Sequence, residues 1–222
     1  MSGGPFDFPR VGAELVARAR AYPSAILADA QGRRGTLDAR IQALAPTMKV
    51  AGPAFTVELH AGDNLMFHAA LAAARPGDVI VVDGKGDGRS ALFGELMVAQ
   101  ARAAGLAGFV VDGPARDTAL LSTGDFPVFA AGRNPCGPTK RLPGTLARPI
   151  SLAGVPVSPG DLIVGDGDGV VVVPREQIPA VLESAAERVA LERARLADIA
   201  RGELVPDWLG EALRDAGVPP PD

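Results

Sequence analysis

The sequence is poor in the residues that most often carry chemistry on their own. It holds one cysteine, Cys136, two histidines, His60 and His68, and three lysines, Lys49, Lys85 and Lys140. A single cysteine allows no intramolecular disulfide, which fits a reducing compartment. Cys136 lies in the Pro/Gly-rich stretch Asn134-Pro135-Cys136-Gly137-Pro138 with no basic residue forced on it, and reads as an inert thiol. Neither histidine has a His or Cys partner at metal-ligand spacing, so nothing supports a nitrogen/sulfur zinc site, and both read as structural or surface residues. The Gly-x-Ser-x-Gly elbow of a serine hydrolase is missing too.

Basic runs are absent, and the net charge is −4. Nucleic acid is therefore a poor partner, because that affinity comes mainly from neutralising phosphates. No apolar run approaches the 18 residues or so that cross a bilayer. The N-terminal stretch Met1-Ser-Gly-Gly-Pro-Phe-Asp7 lacks the basic and apolar regions of a secretory signal. These absences together imply a cytoplasmic protein. Aromatic residues make up only 5%, so the core must be built from Val, Leu, Ile and Ala.

What is present is an ordinary globular composition, 47% hydrophobic and 22% charged over 222 residues. That length suits one domain, with a core over about 25–200 and partly flexible termini. Helical patterns are expected over Val11–Arg20 and Ser24–Ala30, with Pro23 as the breaker. A strand is expected near Ala54–Leu59, then a helix capped by Asp63 or Asn64 and ending near Ala74. Two short β-branched runs, Asp78–Asp83 and Gly108–Asp112, read as strands buried on both faces. A helix over Ser90–Ala104 lies between them. Arg116–Leu121 reads as a short helix, and Phe126–Phe129 as an interrupted or edge strand because of Pro127. This alternation predicts an α/β fold with a central sheet of parallel βαβ units.

The second half reads differently. Residues 133–148 form a long loop or irregular ribbon rich in Pro, Gly and Arg. Short strands follow near Ile150–Leu152, Val155–Val157, Leu162–Val164 and Val170–Val173, with Asp166-Gly-Asp168-Gly as a turn. A long C-terminal helix is expected from Arg175 to about Arg201, and the tail Val218–Asp222 is expected to be disordered.

The glycine loop 84–88 follows a strand, but Arg89 stands where a dinucleotide fingerprint needs its third glycine. The P-loop pattern fails as well. Two candidates remain. Gly94-Glu95-Leu96-Met97 offers free backbone N–H groups if a helix starts near Gly94, which makes an anion site. By its own letters it reads first as an amphipathic helix with a packing glycine. Arg116-Asp117 lies just past the strand ending at Asp112, where ligands collect in parallel sheets. An Arg fork suits a carboxylate or 2-oxo acid, and an Asp offers hard oxygen to Mg²⁺ or Mn²⁺. A surface Arg beside a helix-capping Asp accounts for the same two letters.

The two candidates are joined by their spacing. Glu95, twenty intervening residues and then Arg116-Asp117 resemble the acidic-x20-Arg-Asp signature of the RraA-like family. Other blocks resemble it too: Ala28-Asp29-Ala30, Gly52–Val57, Asn64, Pro76–Gly84, Gly105–Asp117, Phe126–Phe129, Pro159–Asp161 and Asp166–Pro174. They span about residues 25–200. The family contains 4-hydroxy-4-methyl-2-oxoglutarate/4-carboxy-4-hydroxy-2-oxoadipate aldolases and the regulator of ribonuclease E activity A.

The resemblance implies a swivelling β/β/α domain, assembled as a homotrimer or hexamer with its site at a subunit interface. It implies a lyase dependent on a divalent cation, Mg²⁺ or Mn²⁺, that cleaves a 4-hydroxy-2-oxo acid to pyruvate and also decarboxylates oxaloacetate. Backbone amides of Gly94, Glu95, Leu96 and Met97 would bind the substrate carboxylate together with Arg116. Asp117 would ligate the metal, and Glu95 would act with Arg116 in catalysis. Glu192 of a neighbouring subunit is expected near the metal through water. Pro114-Ala115 departs from the family's usual small residue and Val, a change expected to be tolerated. A Schiff-base lysine is not required, and none of the three lysines falls in the site motifs. The alternative is a non-enzymatic regulator that binds a ribonuclease. A quinone-precursor methyltransferase, also attached to the family by name, lacks a glycine-rich cofactor fingerprint here.

Overall fold

Short β-branched runs become the centre of the sheet because both of their faces are covered. The computed structural model describes residues 6–219. Helices α1 (Ala13–Arg20) and α2 (Ser24–Ala30) come first, divided at Pro23. They are followed by β1 (Gln42–Ala43), β2 (Val50–Glu58), α3 (Leu65–Ala73), β3 (Val79–Asp83), α4 (Glu95–Ala103), β4 (Gly108–Val111), α5 (Thr118–Leu121) and β5 (Val128–Ala130). Strands β2, β3, β4 and β5 pair in parallel, in that order across the sheet.

The second half adds antiparallel strands: β6 (Thr145–Leu146), β7 (Ile150–Leu152), β8 (Val155–Val157), β9 (Leu162–Asp166) and β10 (Gly169–Val173). The main sheet runs β1-β5-β4-β3-β2-β9-β10, and β6 also pairs with β2. The far edge of β2 is shared, its first half with β9 and its last two residues with β6. The β9–β10 hairpin turns at Gly167-Asp168, as the Asp-Gly chemistry implies. Strands β7 and β8 make a separate hairpin.

Alternation along β3 sends Ile80 and Val82 to one face of the sheet, and Val79 and Val81 to the other. The first face packs beneath α3 and α4, where Phe67, Phe93, Phe109 and Phe126 form a ladder of edge contacts. Few as they are, the aromatics are concentrated here. Phe67 and Phe109 are fully buried, at about 1.5–3 kcal/mol for each such side chain.

Several boundaries depart from the sequence pattern. The strand expected at Ala54 begins at Val50, so Gly52-Pro53 lies inside it. A Cβ at Gly52 would lie 2.5 Å from the backbone oxygen of Gly77, an approach that only glycine allows, and 3.1 Å from Val79 Cγ2. The helix expected from Ser90 begins at Glu95, because 92–93 are drawn into hydrogen bonds with 114–116. Pro127 precedes β5, which lies between β1 and β4 and is not an edge strand.

After a 3₁₀ turn at Arg175–Gln177, α6 (Ile178–Ala200) carries Pro179 in its first turn, where proline is tolerated. The chain divides into two compact units, and the division falls within α6, after Ala185. In the second unit, Arg195 donates to the carbonyls of Glu203 and Leu204 at 2.8 Å, closing the turn before α7 (Leu209–Asp215). No helix among the described residues is long and apolar enough to cross a membrane. The flexibility expected at the extreme N-terminus (1–5), and at 220–222 of the tail, concerns positions outside the described residues.

Candidate functional site

The parallel order of β3, β4 and β5 continues past the strand ends. Leu92 N–H donates to Pro114 O at 2.9 Å and Arg116 N–H to Phe93 O at 3.0 Å. Ala115 N–H donates to Gly132 O and Asn134 N–H to Ala115 O, each at 3.0 Å. Three loop segments therefore lie side by side, and Gly94 comes up against Arg116 and Asp117.

Gly94 is the N-cap of α4, with φ −160° and ψ −161°, an extended backbone open to any residue. It is glycine for want of space. A Cβ there would collide with Asp117 Oδ2 and lie 2.8 Å from Arg116 Cγ. Asp117 itself has φ +57°, a left-handed conformation that Asp adopts more readily than most residues. It stands at the N-cap position of α5, yet its side chain caps a different helix. Oδ2 accepts the Glu95 N–H at 3.0 Å, placing a carboxylate at the positive end of α4. Arg116 Nε is 3.6 Å from the same oxygen.

Arg116 borders two hollows. One, of about 330 Å³, is lined by Asn64, His68, Leu92, Gly94, Met97, Lys140 and their neighbours. The other, of about 420 Å³, is lined by Asp117, Thr118, Arg133 and Asn134 among others. The Arg116 side chain is 45% exposed, and no described residue accepts a hydrogen bond from its Nη atoms, so the fork is open to a ligand. The N–H groups of Leu96 and Met97 likewise find no acceptor among the described residues, whereas that of Glu95 is occupied by Asp117. Gly94, Leu96, Met97, Arg116 and Asp117 are thus brought together. The Glu95 carboxylate is on the exposed first turn of α4 and lines neither hollow. Glu192 lies on α6 in the second compact unit.

Three lining residues fall outside the Gly94–Met97 and Arg116-Asp117 motifs. Asn64 is buried; its Nδ2 donates to Leu92 O at 2.7 Å, and its Oδ1 is buried without a partner. His68 Nε2 is also buried and unpartnered. Burial, and secondarily the charge of Lys140, hold the His68 imidazole below its ordinary pKa. Lys140 is held by its neighbours. Asp63 Oδ2 accepts hydrogen bonds from the Thr139 hydroxyl (2.6 Å) and from the N–H groups of Arg141 (2.7 Å) and Leu142 (3.2 Å). Oδ1 accepts from Leu65 N–H at 2.9 Å. Burial pushes the Asp63 carboxyl up, but these four bonds outweigh it and bring it to about 2. Asn64 falls in a block of the family resemblance. His68 and Lys140 left only the apolar period of a helix and a Pro/Gly-rich ribbon.

Among the described residues no group of three or more His, Cys, Asp or Glu converges on one point. Asp117 Oδ1 takes no hydrogen bond from any of them. One free hard oxygen suits Mg²⁺ or Mn²⁺, ions that often rest on one or two carboxylates and complete their shell with water and substrate oxygens. The donor set thus fits an ion shared with a chelating ligand.

A family model described as RraA-like, Aldolase/RraA, matches residues 24–172. The chain belongs to the RraA-like family. This RraA-like chain is 41% identical over 182 residues to a Halalkalibacterium halodurans protein named "Putative 4-hydroxy-4-methyl-2-oxoglutarate aldolase", covering 82% of this chain and 87% of that one. It superposes with a TM-score of 0.77 on Streptomyces coelicolor RraAS2, described as an unusual member of the RNase ES inhibitor RraA protein family. That match has 30% identity and covers 85% and 98% of the two chains. A protein from Pseudomonas syringae pv. tomato gives a TM-score of 0.78 at 28% identity, covering 88% and 96%. These solved folds agree with the RraA-like α/β architecture read from the sequence.

Proposed function

We propose that this RraA-like protein is a divalent-metal-dependent aldolase that cleaves 4-hydroxy-4-methyl-2-oxoglutarate, or a related 4-hydroxy-2-oxo acid, to pyruvate. The observation that carries this reading is the open Arg116 fork packed against Gly94 at the start of α4, with a free Asp117 oxygen beside it. The 41% identical aldolase-named relative supports the same reaction class.

Asp117 would hold Mg²⁺ or Mn²⁺, which when bound supplies Lewis-acid polarisation of the 2-oxo group. Arg116 and the free N–H groups of Leu96 and Met97 bind the carboxylate and oxo oxygens of the substrate. As the C3–C4 bond breaks, its electron pair passes to C3 and yields the pyruvate enolate. The Arg116 guanidinium stabilises the negative charge that develops on the enolate oxygen. The 4-hydroxyl gives up its proton as C4 becomes a carbonyl, and C3 then takes one to form pyruvate. Glu95 is the candidate base, directly or through water. Oxaloacetate follows the same course, losing CO₂ from C3. The assembly proposed is a homotrimer or hexamer in which a second copy covers this site and brings its Glu192 towards it. The exposed Leu96 and Leu120 beside the site support such a cover.

The test is pyruvate release coupled to lactate dehydrogenase, over a panel of 4-hydroxy-2-oxo acids and oxaloacetate. Activity is expected with Mg²⁺ or Mn²⁺ and lost in EDTA; turnover that survives chelation overturns the metal-dependent scheme. The Streptomyces neighbour favours one rival, a ribonuclease-binding regulator. Capture of a ribonuclease by the purified protein, with no pyruvate from any substrate, would reverse the ranking.

A further inference from the structure

The Arg116 site stands at the carboxyl ends of the parallel strands. A larger hollow, of about 920 Å³, stands at their amino ends. It is lined by Pro76-Gly77, Leu106-Ala107 and Phe126-Pro127, the pairs that lead into β3, β4 and β5. Val16 of α1 and Pro53 of β2 add to its apolar wall. The reaction steps above use none of these residues.

Four cations border this space, and two of them are already neutralised. Arg10 donates to the buried Asp78 from Nε at 2.7 Å and from Nη2 at 2.9 Å. Arg102 Nη2 donates at 2.7 Å to Asp125, the one acid on the wall. Arg20, in the last turn of α1, and Lys49, just before β2, have no acidic partner among the described residues. Both also border a smaller hollow of about 110 Å³, which places the two charges on the ridge between the hollows. Asp166 lines that smaller hollow, but Ser24 engages both of its oxygens, through the backbone N–H at 2.8 Å and the hydroxyl at 2.6 Å. The chain has a net charge of −4, yet this ridge is positive and no described acid answers it.

An apolar wall with two open cations at one end matches an amphiphilic anion. The body of such a ligand leaves water against the wall, and its head accepts hydrogen bonds from the cations. The volume lies within the range of small-molecule pockets. We propose that this hollow is a second ligand site, taking a carboxylate with an apolar body whose head is held by Arg20 and Lys49. The inference stands apart from the aldolase reading, since it uses no residue of the Arg116 site.

Calorimetry in EDTA, with octanoate, octanol and acetate as probes, tests both halves of the match. Octanoate is expected to bind about ten-fold more tightly than octanol, the size of one charge-assisted hydrogen bond. It should bind at least about 100-fold more tightly than acetate, which lacks six methylenes. Arg20→Met and Lys49→Met, both at exposed positions, should each weaken octanoate about five-fold or more and leave octanol unchanged. Ala17→Trp, on an exposed position of α1 that borders the hollow, should exclude both ligands. Arg116→Ala should alter neither.

A wild type that binds no octanoate, or binds octanoate and octanol equally, overturns the proposal. So does octanoate binding that survives Lys49→Met and Ala17→Trp, or that is lost in Arg116→Ala, which would place the anion at the other end of the sheet. Each of these results leaves the pyruvate assay, and with it the aldolase reading, to be decided separately.

Discussion

Asp117 accepts the backbone N–H of Glu95 at 3.0 Å, so the residue after Arg116 caps a helix that begins more than twenty residues earlier in the chain. This bond locks the start of α4 to the turn after β4. It occupies one carboxylate oxygen of Asp117 and leaves the other free.

Arg116→Ala should therefore remove activity without disturbing the fold. The side chain is nearly half exposed and its Nη atoms pair with no described residue. Pyruvate release should fall on the order of 10²-fold or more, as for loss of an oxyanion donor. Thermal melting should shift little. Arg116→Lys should recover only part of the activity, because an ammonium lacks the planar fork.

Two substitutions at Asp117 separate its duties. Asn tolerates a left-handed backbone, and its carbonyl oxygen can still accept the Glu95 N–H. Asp117→Asn should melt near the wild type while losing its response to Mg²⁺ or Mn²⁺ in the pyruvate assay. Asp117→Ala loses the cap and strains the backbone at φ +57°, and should also cost about 1–2 kcal/mol in denaturant unfolding.

Gly94→Ala tests the close approach. Its added methyl meets Arg116 Cγ at 2.8 Å as well as the Asp117 carboxylate. Overpacking of this kind costs about 1–3 kcal/mol and displaces the Arg116 side chain. Both melting temperature and kcat/KM should fall, which distinguishes this variant from Arg116→Ala.

Asp63 makes stability depend on pH. In the unfolded chain its carboxyl protonates near pH 4, in the folded protein at about 2. The folded pKa is depressed, so its contribution is complete above about pH 4 and is lost as pH falls towards 2. Asp63→Asn should be less stable than the wild type at pH 7 by about 1–3 kcal/mol, with the gap closing below pH 4. Urea unfolding at a series of pH values checks the sign.

Much of the frame is legible locally. Asp78–Asp83 and Gly108–Asp112 enclose short apolar runs rich in Val and Ile, and they became adjacent parallel strands. Pro23 marks a helix limit by its restricted backbone, and Gly105 by its freedom to adopt φ +71°. The misplaced start of α4 has a different cause. Residues 92–93 carry helix-compatible side chains, but their backbone groups pair with 114–116, a contact that no local window contains. Gly52-Pro53 hid the first half of β2, because two breaker residues sit in a strand where the backbone oxygen of Gly77 leaves no room for a side chain at position 52. The site divides in the same way. Glu95 and Arg116-Asp117 carry a spacing that can be recognised. Lys140 reaches the cavity only because Asp63 gathers residues 76 to 79 positions further along.

That gathering separates two kinds of change open to the protein. The groups that would break the bond sit on the ends of rigid strands and at a helix start sealed by Asp117. The other side of the hollow beside Arg116 comes from the start of α3 and from a ribbon tied to a single carboxylate, that of Asp63. Substitutions in the ribbon can redraw which acids are admitted while the strand ends stay as they are. A shared chemistry could in this way pass between diets, one loop exchange at a time.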